Sequence, residues 1–301
     1  MENFLLIFAC LAFGYMLSKT EIFTQNAPIV LNQFIITIAL PAMIFLQIPR
    51  LEFSAELLIP VIVAWIVMGV SALFILLFSK LLHFSREVTG ALMLVGVLGN
   101  TSFVGIPLVQ VYLGETALPY VLIYDQLGSF IALSTYATFV SIYYTNHTTI
   151  NARAIFKKII TFPPLVALVL SLPFVGVAFH PAILHTLETL ANTIVPLALV
   201  SVGLSLRLKL ERKDIAPFFT ALGVKIVLAP LVAFALVWLF GWRSLAADVS
   251  ILESAMGPMI TAGALAAMAG LAPRLSSAIV GYGTIIAFFT TWLLFAFHFQ
   301  A

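Results

Sequence analysis

The chain has 301 residues, of which 62% are hydrophobic and 9% charged. No water-soluble domain of this size could cover so much apolar surface with one core, so the composition excludes a soluble globular protein and predicts an integral membrane protein. A formal net charge of +2 is too small to suggest a nucleic-acid partner, and a single cysteine excludes an intramolecular disulfide and a cysteine-based metal cluster.

Membrane-length apolar runs fall at 3–18, 27–48, 57–79, 87–113, 117–144, 159–179, 183–206, 215–240, 246–270 and 275–299. Each is near the twenty residues that a helix needs to cross hydrocarbon, so the expected fold is an all-α polytopic membrane protein with ten transmembrane helices. The connections are short, and the longest hydrophilic one lies around Thr145 to Lys158.

Basic residues test the count, because Lys and Arg favour cytoplasmic connections. Connections 1-2, 3-4, 5-6, 7-8 and 9-10 hold Lys19, Lys80, Arg86, Arg153, Lys157, Lys158, Arg207, Lys209, Arg212, Lys213 and Arg274, whereas the opposite side holds Arg50 and Arg243. This asymmetry predicts both termini on the non-cytoplasmic side of the plasma (inner) membrane, and an error of one span would scramble it.

The two halves of the chain echo each other. Span 2 carries Pro41 in "IALPAMIFLQI" and span 7 carries Pro196 in "TIVPLALVSVGL"; span 4 is interrupted at "GNTSFVGIP" and span 9 at "ESAMGPMITAG". With five spans per half, the second half must enter the membrane in the opposite orientation. The expected organisation is a first five-helix repeat at 1–144, a cytoplasmic connecting loop at 145–158 and a second repeat at 159–301. Matched broken segments in two inverted halves point to a transporter and to its binding site.

In span 4, Pro107 cannot donate to the helical ladder, while Gly99 and Gly105 ease departure from helical geometry, so two half-helices are expected. The released backbone groups must be buried in protein or line a wet cavity, where Asn100, Thr101 and Ser102 could pair with them or with a ligand. Span 9 supplies a break at Gly257-Pro258, with Ser254 before it and Thr261 beyond. The second half-helices would then start near mid-depth and present their electropositive amino ends to one region that favours an anion.

Three ionisable residues fall inside the spans: Asp125, Lys225 and Glu253. Such groups need partners or water. Glu253 lies about one turn from the span 9 break and is a candidate proton carrier. Lys225 could pair with a carboxylate or attract an anion. Asp125, near the outer end of span 5, is expected to be partly solvated or to serve in a proton relay. The histidines show no metal-ligand spacing. Val280-Gly281-Tyr282-Gly283 superficially matches a potassium filter but sits within a full-length span, and Tyr124-Asp125 lacks the second half of an intramembrane aspartyl protease site. No catalytic constellation is recognisable, and no enzyme is expected.

"LPAMIF" at Leu40 to Phe45, "GNTSFVGIP" at Gly99 to Pro107 and "ESAMGPMITAGALA" at Glu253 to Ala266 make the chain resemble the auxin efflux carrier family of the bile acid/arsenite/auxin transporter superfamily. That family includes plant auxin exporters and bacterial carriers of malonate, malate and related anions. The resemblance implies crossing helices 4 and 9, a mobile transport domain of helices 3–5 and 8–10, and a scaffold of helices 1, 2, 6 and 7 through which a homodimer could form. It also implies elevator-type alternating access, with Asn100, Gly105, Pro107 and Pro258 lining the substrate site. Plant members have a long loop between the halves that is missing here, and an asparagine in span 9 where this chain has Glu253 and Ser254.

The expected function is therefore secondary or facilitative transport of a small mono- or dicarboxylate across the lipid bilayer. Asn100, Thr101, Ser102, Gly105, Pro107, Ser254, Gly257, Pro258 and Thr261 are the candidate substrate-site residues. Asp125, Glu253 and Lys225 are the candidate coupling residues for H+ or Na+, and no other cofactor and no metal are expected. The alternative is a membrane sensor that binds an anion without moving it.

Overall fold

A computed structural model describes residues 2–20, 22–24, 26–51, 54–145, 152–206 and 210–299. Among these, the chain is helical apart from turns and one isolated antiparallel bridge between Gly99 and Pro258. The helices in chain order are α1 (Glu2–Leu17), α2 (Ala27–Arg50), α3 (Ala55–Leu81), α4 (Arg86–Val95), α5 (Thr101–Leu113), α6 (Glu115–Thr145) and α7 (Ala152–Ile160). They continue with α8 (Pro163–Phe174), α9 (Pro181–Ser205), α10 (Arg212–Phe240), α11 (Leu245–Ser254), α12 (Ile260–Met268) and α13 (Pro273–Phe297).

Six of them, α2, α3, α6, α9, α10 and α13, are long and apolar enough to cross a membrane. Their outer faces carry exposed Leu73, Phe219, Trp238 and Phe289, a surface suited to acyl chains and not to water. The remaining apolar segments are shorter. Along the chain the order short, long, long, interrupted, long occurs twice: α1, α2, α3, α4/α5, α6, and then α8, α9, α10, α11/α12, α13.

The expected run 159–179 departs most from the sequence reading. Its start belongs to α7, whose apolar and basic residues segregate on opposite faces, and its apolar helix is only Pro163–Phe174. Paired prolines at 163 and 164 start a new helix, since neither needs an N–H in the first turn, and Gly176 at φ +78° turns the chain beyond Phe174. Part of the expected 145–158 loop is thus helical; residues 146–151, including His147, lie outside the described residues, as do Arg207 and Lys209.

Three prolines inside apolar helices do not break them, whereas α9 turns at Asn192 and Thr193, just before Pro196. Pro41, Pro107 and Pro230 each sit two residues beyond a π-helical segment, at Ile35–Ala39, Thr101–Gly105 and Gly223–Leu228. A proline ring crowds the carbonyl one turn back and leaves it without a donor. Widening the preceding turn relieves both problems while keeping the backbone bonded internally, as hydrocarbon demands.

α1 packs along the second half of α9 at a contact of small residues. Gly14 lies against the Val200 carbonyl, and Gly203 against the Leu11 carbonyl and the Tyr15 amide. Absent side chains allow this close backbone approach. The connections expected to be rich in basic residues gather together. Arg274 reaches Glu211 at 2.8 Å, Lys213 reaches Glu211 at 3.0 Å, and Arg86 donates to the carbonyls of Tyr143 and Tyr144. Arg50 instead lies 3.8 Å from Glu188, beside the stretch where the Gly176 amide donates to the Pro49 carbonyl.

Candidate functional site at the paired helix breaks

Both predicted interruptions are present and they meet. Between α4 and α5, and between α11 and α12, the chain leaves helical geometry at 96–100 and 255–259. The two extended pieces pair antiparallel: the Asn100 amide donates to the Gly257 carbonyl at 2.8 Å, and the Met259 amide donates to the Leu98 carbonyl at 2.9 Å. Buried backbone groups released by each break are thus satisfied by the other. α5 and α12 both begin immediately after this pairing.

The position of the first break differs from the sequence expectation. It falls at Gly96–Asn100, and the chain is already helical through Gly105 and Pro107, because the π turn at Thr101–Gly105 accommodates the proline. Gly105 has another role. A β-carbon there would collide with the carboxylate of Glu253, so the missing side chain lets α5 pass against α11. Gly99 is similarly placed beside the ammonium of Lys225. In the second break, Gly257 abuts the Gly283 carbonyl, and the Pro258 ring lies over Gly283 of α13. The Val280–Gly283 stretch is therefore a helical packing surface.

Asp125 is also placed differently from expectation. It is 3% exposed, within the π-helical Tyr124–Phe130 segment of α6, and not partly solvated. Its Oδ1 accepts hydrogen bonds from the hydroxyls of Thr101 at 2.5 Å and Ser102 at 2.6 Å, and its Oδ2 accepts from Nε2 of Gln126 at 2.7 Å. Two of the residues expected to meet a substrate thus spend their hydroxyls on fixing α5 to α6.

Ser254 is engaged as well. Its hydroxyl donates to the Ile251 carbonyl at 2.6 Å, and its own carbonyl accepts from Nζ of Lys225 at 2.9 Å. Lys225, 3% exposed on α10, thereby caps the electronegative end of α11 and, among the described residues, forms no ion pair with a carboxylate.

Two of the predicted site residues at the crossing keep side-chain atoms without such partners. The side-chain nitrogen of Asn100 and both carboxylate oxygens of Glu253 are buried without a hydrogen bond. Beside the crossing lies a cavity of about 530 Å³ between α2, α9, α12 and α13, lined by Asn32, Gln33, Ser205, Thr261 and Ser277 among apolar residues. Asn32 also accepts from the Ser201 hydroxyl at 2.7 Å, which ties α2 to α9. Of the predicted site residues, Thr261 alone lines this cavity. Sequence reading missed Asn32 and Gln33, although adjacent amides in an otherwise apolar run were the available signal.

An internal pair of helix breaks, held together by backbone bonds and ringed by buried ionisable groups, is the architecture of a membrane transporter. Comparison of the sequence agrees: the family model described as "Membrane transport protein" matches residues 1–151 and 145–295. The chain belongs to this family, the auxin efflux carriers. It is similar to an uncharacterized transporter of Methanocaldococcus jannaschii, 30% identical over 265 residues that cover 85% of each chain. It is also similar to an uncharacterized transporter of Methanothermobacter thermautotrophicus, 24% identical over 289 residues, covering 95% of this chain and 94% of that one.

Proposed function

We propose that this transporter carries a small organic anion, such as a mono- or dicarboxylate, by alternating access around the paired breaks. The observation that carries the reading is the antiparallel pairing of 98–100 with 257–259, from which α5 and α12 both start. Two helix amino ends at one place offer partial positive charge, and the unpartnered amide of Asn100 adds a donor.

The repeated order of short, long and interrupted helices supports ten crossings arranged as two inverted sets of five, at 1–144 and 159–301, joined through 145–158. In that arrangement the helices before and after each break, with their neighbours, form the moving unit, and α1, α2, α8 and α9 form the scaffold, through which two copies could associate. The bias of basic residues supports termini on the outer side. Every residue lining the cavity then comes from the cytoplasmic half of its expected span, which supports reading the cavity as the inward entrance. Elevator-type displacement of the moving unit would carry the crossing from one face to the other. No observation favours a sensor that binds without transport, and the family is one of transporters.

Purified protein in liposomes should move labelled malonate, malate or an auxin-like acid. Absence of flux for a panel of mono- and dicarboxylates, alongside flux of a cation or neutral solute, would overturn the anion assignment.

A further inference from the structure

Asp125 and Glu253 both lie buried at the crossing, yet their surroundings differ in kind. Asp125 accepts three hydrogen bonds across both of its oxygens, the arrangement that stabilises a charged carboxylate. Glu253 is 0% exposed, and neither oxygen has a donor. A charged carboxylate without hydrogen bonds is expensive in a low-dielectric interior, whereas the neutral acid is far less so. The ionisable groups facing Glu253 are Tyr124 and Asp125 of α6 and Lys225 of α10. On the other elements packed against α11, Glu56 and Glu115 are exposed to the outside, and the Tyr112 hydroxyl lies 3.5 Å from that of Thr291. None of these supplies Glu253 with a direct ion pair.

We infer that Glu253 is the group that gains and loses a proton during the transport cycle, while Asp125 is a fixed acceptor that positions α5. The coupling to an anion rests on the carrier reading above; the protonation of Glu253 does not. With Glu253 neutral, the negative Asp125 and positive Lys225 balance, and an arriving anion adds only its own charge to the buried site. With Glu253 ionised the site is already negative, and the same anion meets a second uncompensated charge. The protonated form therefore takes the anion. When the site opens to the other face, the O–H bond of Glu253 breaks, its proton passes to water, and its electron pair remains on the carboxylate, which favours release of the anion. Proton and anion move together, as a symport.

The position of Gly105 completes the device. The backbone of α5 lies directly against the carboxyl of Glu253, with no side chain between them, so a change in charge there acts on the half-helix that begins at the crossing.

The test is infrared spectroscopy of the full chain in lipid bilayers at neutral pH, without added anion. The expected result is a protonated-carboxyl carbonyl band that disappears in Glu253→Gln, shifts in Glu253→Asp and persists in Asp125→Asn. Absence of the band from the unsubstituted protein, or its survival in Glu253→Gln, overturns the assignment. Should Glu253→Gln not be recovered folded, the shift in Glu253→Asp decides: an unmoved band overturns the proposal. A second arm follows labelled malonate in proteoliposomes under an imposed pH gradient, where gradient-driven accumulation should be lost in Glu253→Gln. The spectrum reads the proton site alone, so an intact band pattern without malonate movement counts against the anion reading and leaves the proton site standing.

Discussion

Gly105 of α5 lies against the Glu253 carboxylate of α11, and nothing larger than hydrogen fits between them. Gly105→Ala should therefore displace one half-helix from the other. Overpacking of a tight interior contact destabilises by about 1–3 kcal/mol, so the variant should unfold at lower temperature in detergent and lose flux in proteoliposomes. Gly99→Ala should be milder, because its β-carbon would meet the Lys225 ammonium at 2.9 Å, less closely than a β-carbon at 105 would meet the Glu253 carboxylate. Equal thermal shifts for the two variants would show that the clash at 105 is no costlier than the one at 99.

Asn100→Ala separates the site from the fold. The backbone amide that pairs with Gly257 survives the substitution, and the deleted side-chain nitrogen makes no hydrogen bond. Thermal stability should stay close to that of the parent while anion flux is lost. Parent-like flux from the folded variant would remove Asn100 from the substrate site.

Thr101→Val and Ser102→Ala test the grip of α5 on Asp125. Each strips a hydroxyl donor from a buried carboxylate that keeps only its remaining partners. Leaving a buried acceptor short of a donor costs about 1–3 kcal/mol. Each single variant should be destabilised in thermal unfolding, and because both donors serve the same oxygen, their effects should not add. Strict additivity would mean that the two hydroxyls act independently.

Gly203→Leu examines the close contact of α1 with α9. A side chain there meets the Leu11 carbonyl and the Tyr15 amide, which are backbone atoms that cannot rotate away. The helices must separate, and the folded yield and unfolding temperature should both fall. A variant as stable as the parent would show that α1 is free to shift along α9.

Glu211 provides a contrast at the surface. Hydrogen bonds from Lys213 and then Arg274 hold its carboxyl below the usual carboxylate range, yet the group is half-buried at the surface and its partners are largely exposed. A lowered folded-state value means that its contribution is present above the unfolded value and fades as pH falls through the folded one. The pairing should thus persist through mildly acid conditions and weaken only below the ordinary carboxylate range. Because exposed pairs are screened by water and salt, Glu211→Gln should change the unfolding temperature little, and the small difference should vanish at high salt. A large difference that resists salt would contradict this.

The interruption at Gly257-Pro258 was legible because a glycine followed by proline, with no preceding accommodation, leaves helical geometry where the sequence places it. The interruption in span 4 was legible as to existence and only in part as to place. Pro107 suggested the break, but the π turn at Thr101–Gly105 absorbs that proline, and the chain departs from helix at Gly96–Asn100. Local sequence does not report whether a turn widens, because the widening is settled by what packs around it.

The side-chain roles divide in the same way. Asn100 and Glu253 were picked from sequence as polar groups in apolar surroundings, and they are among the buried groups left without hydrogen bonds. Thr101, Ser102 and Ser254 were picked on the same grounds, but their hydroxyls are taken by Asp125 and by the Ile251 carbonyl.

The sequence by itself determined that this is a membrane protein, that it has two interrupted apolar segments at matching places, and which family it belongs to. Those facts follow from composition and linear order, which hydrocarbon constrains directly. Tertiary structure alone decided that the interruptions bond to each other, that Lys225 caps a carbonyl in place of pairing with an acid, and that Asp125 is satisfied while Glu253 is not. Each depends on groups far apart in the chain arriving within 3 Å, and hydrogen bonding in a dry interior is decided by that approach and not by residue type.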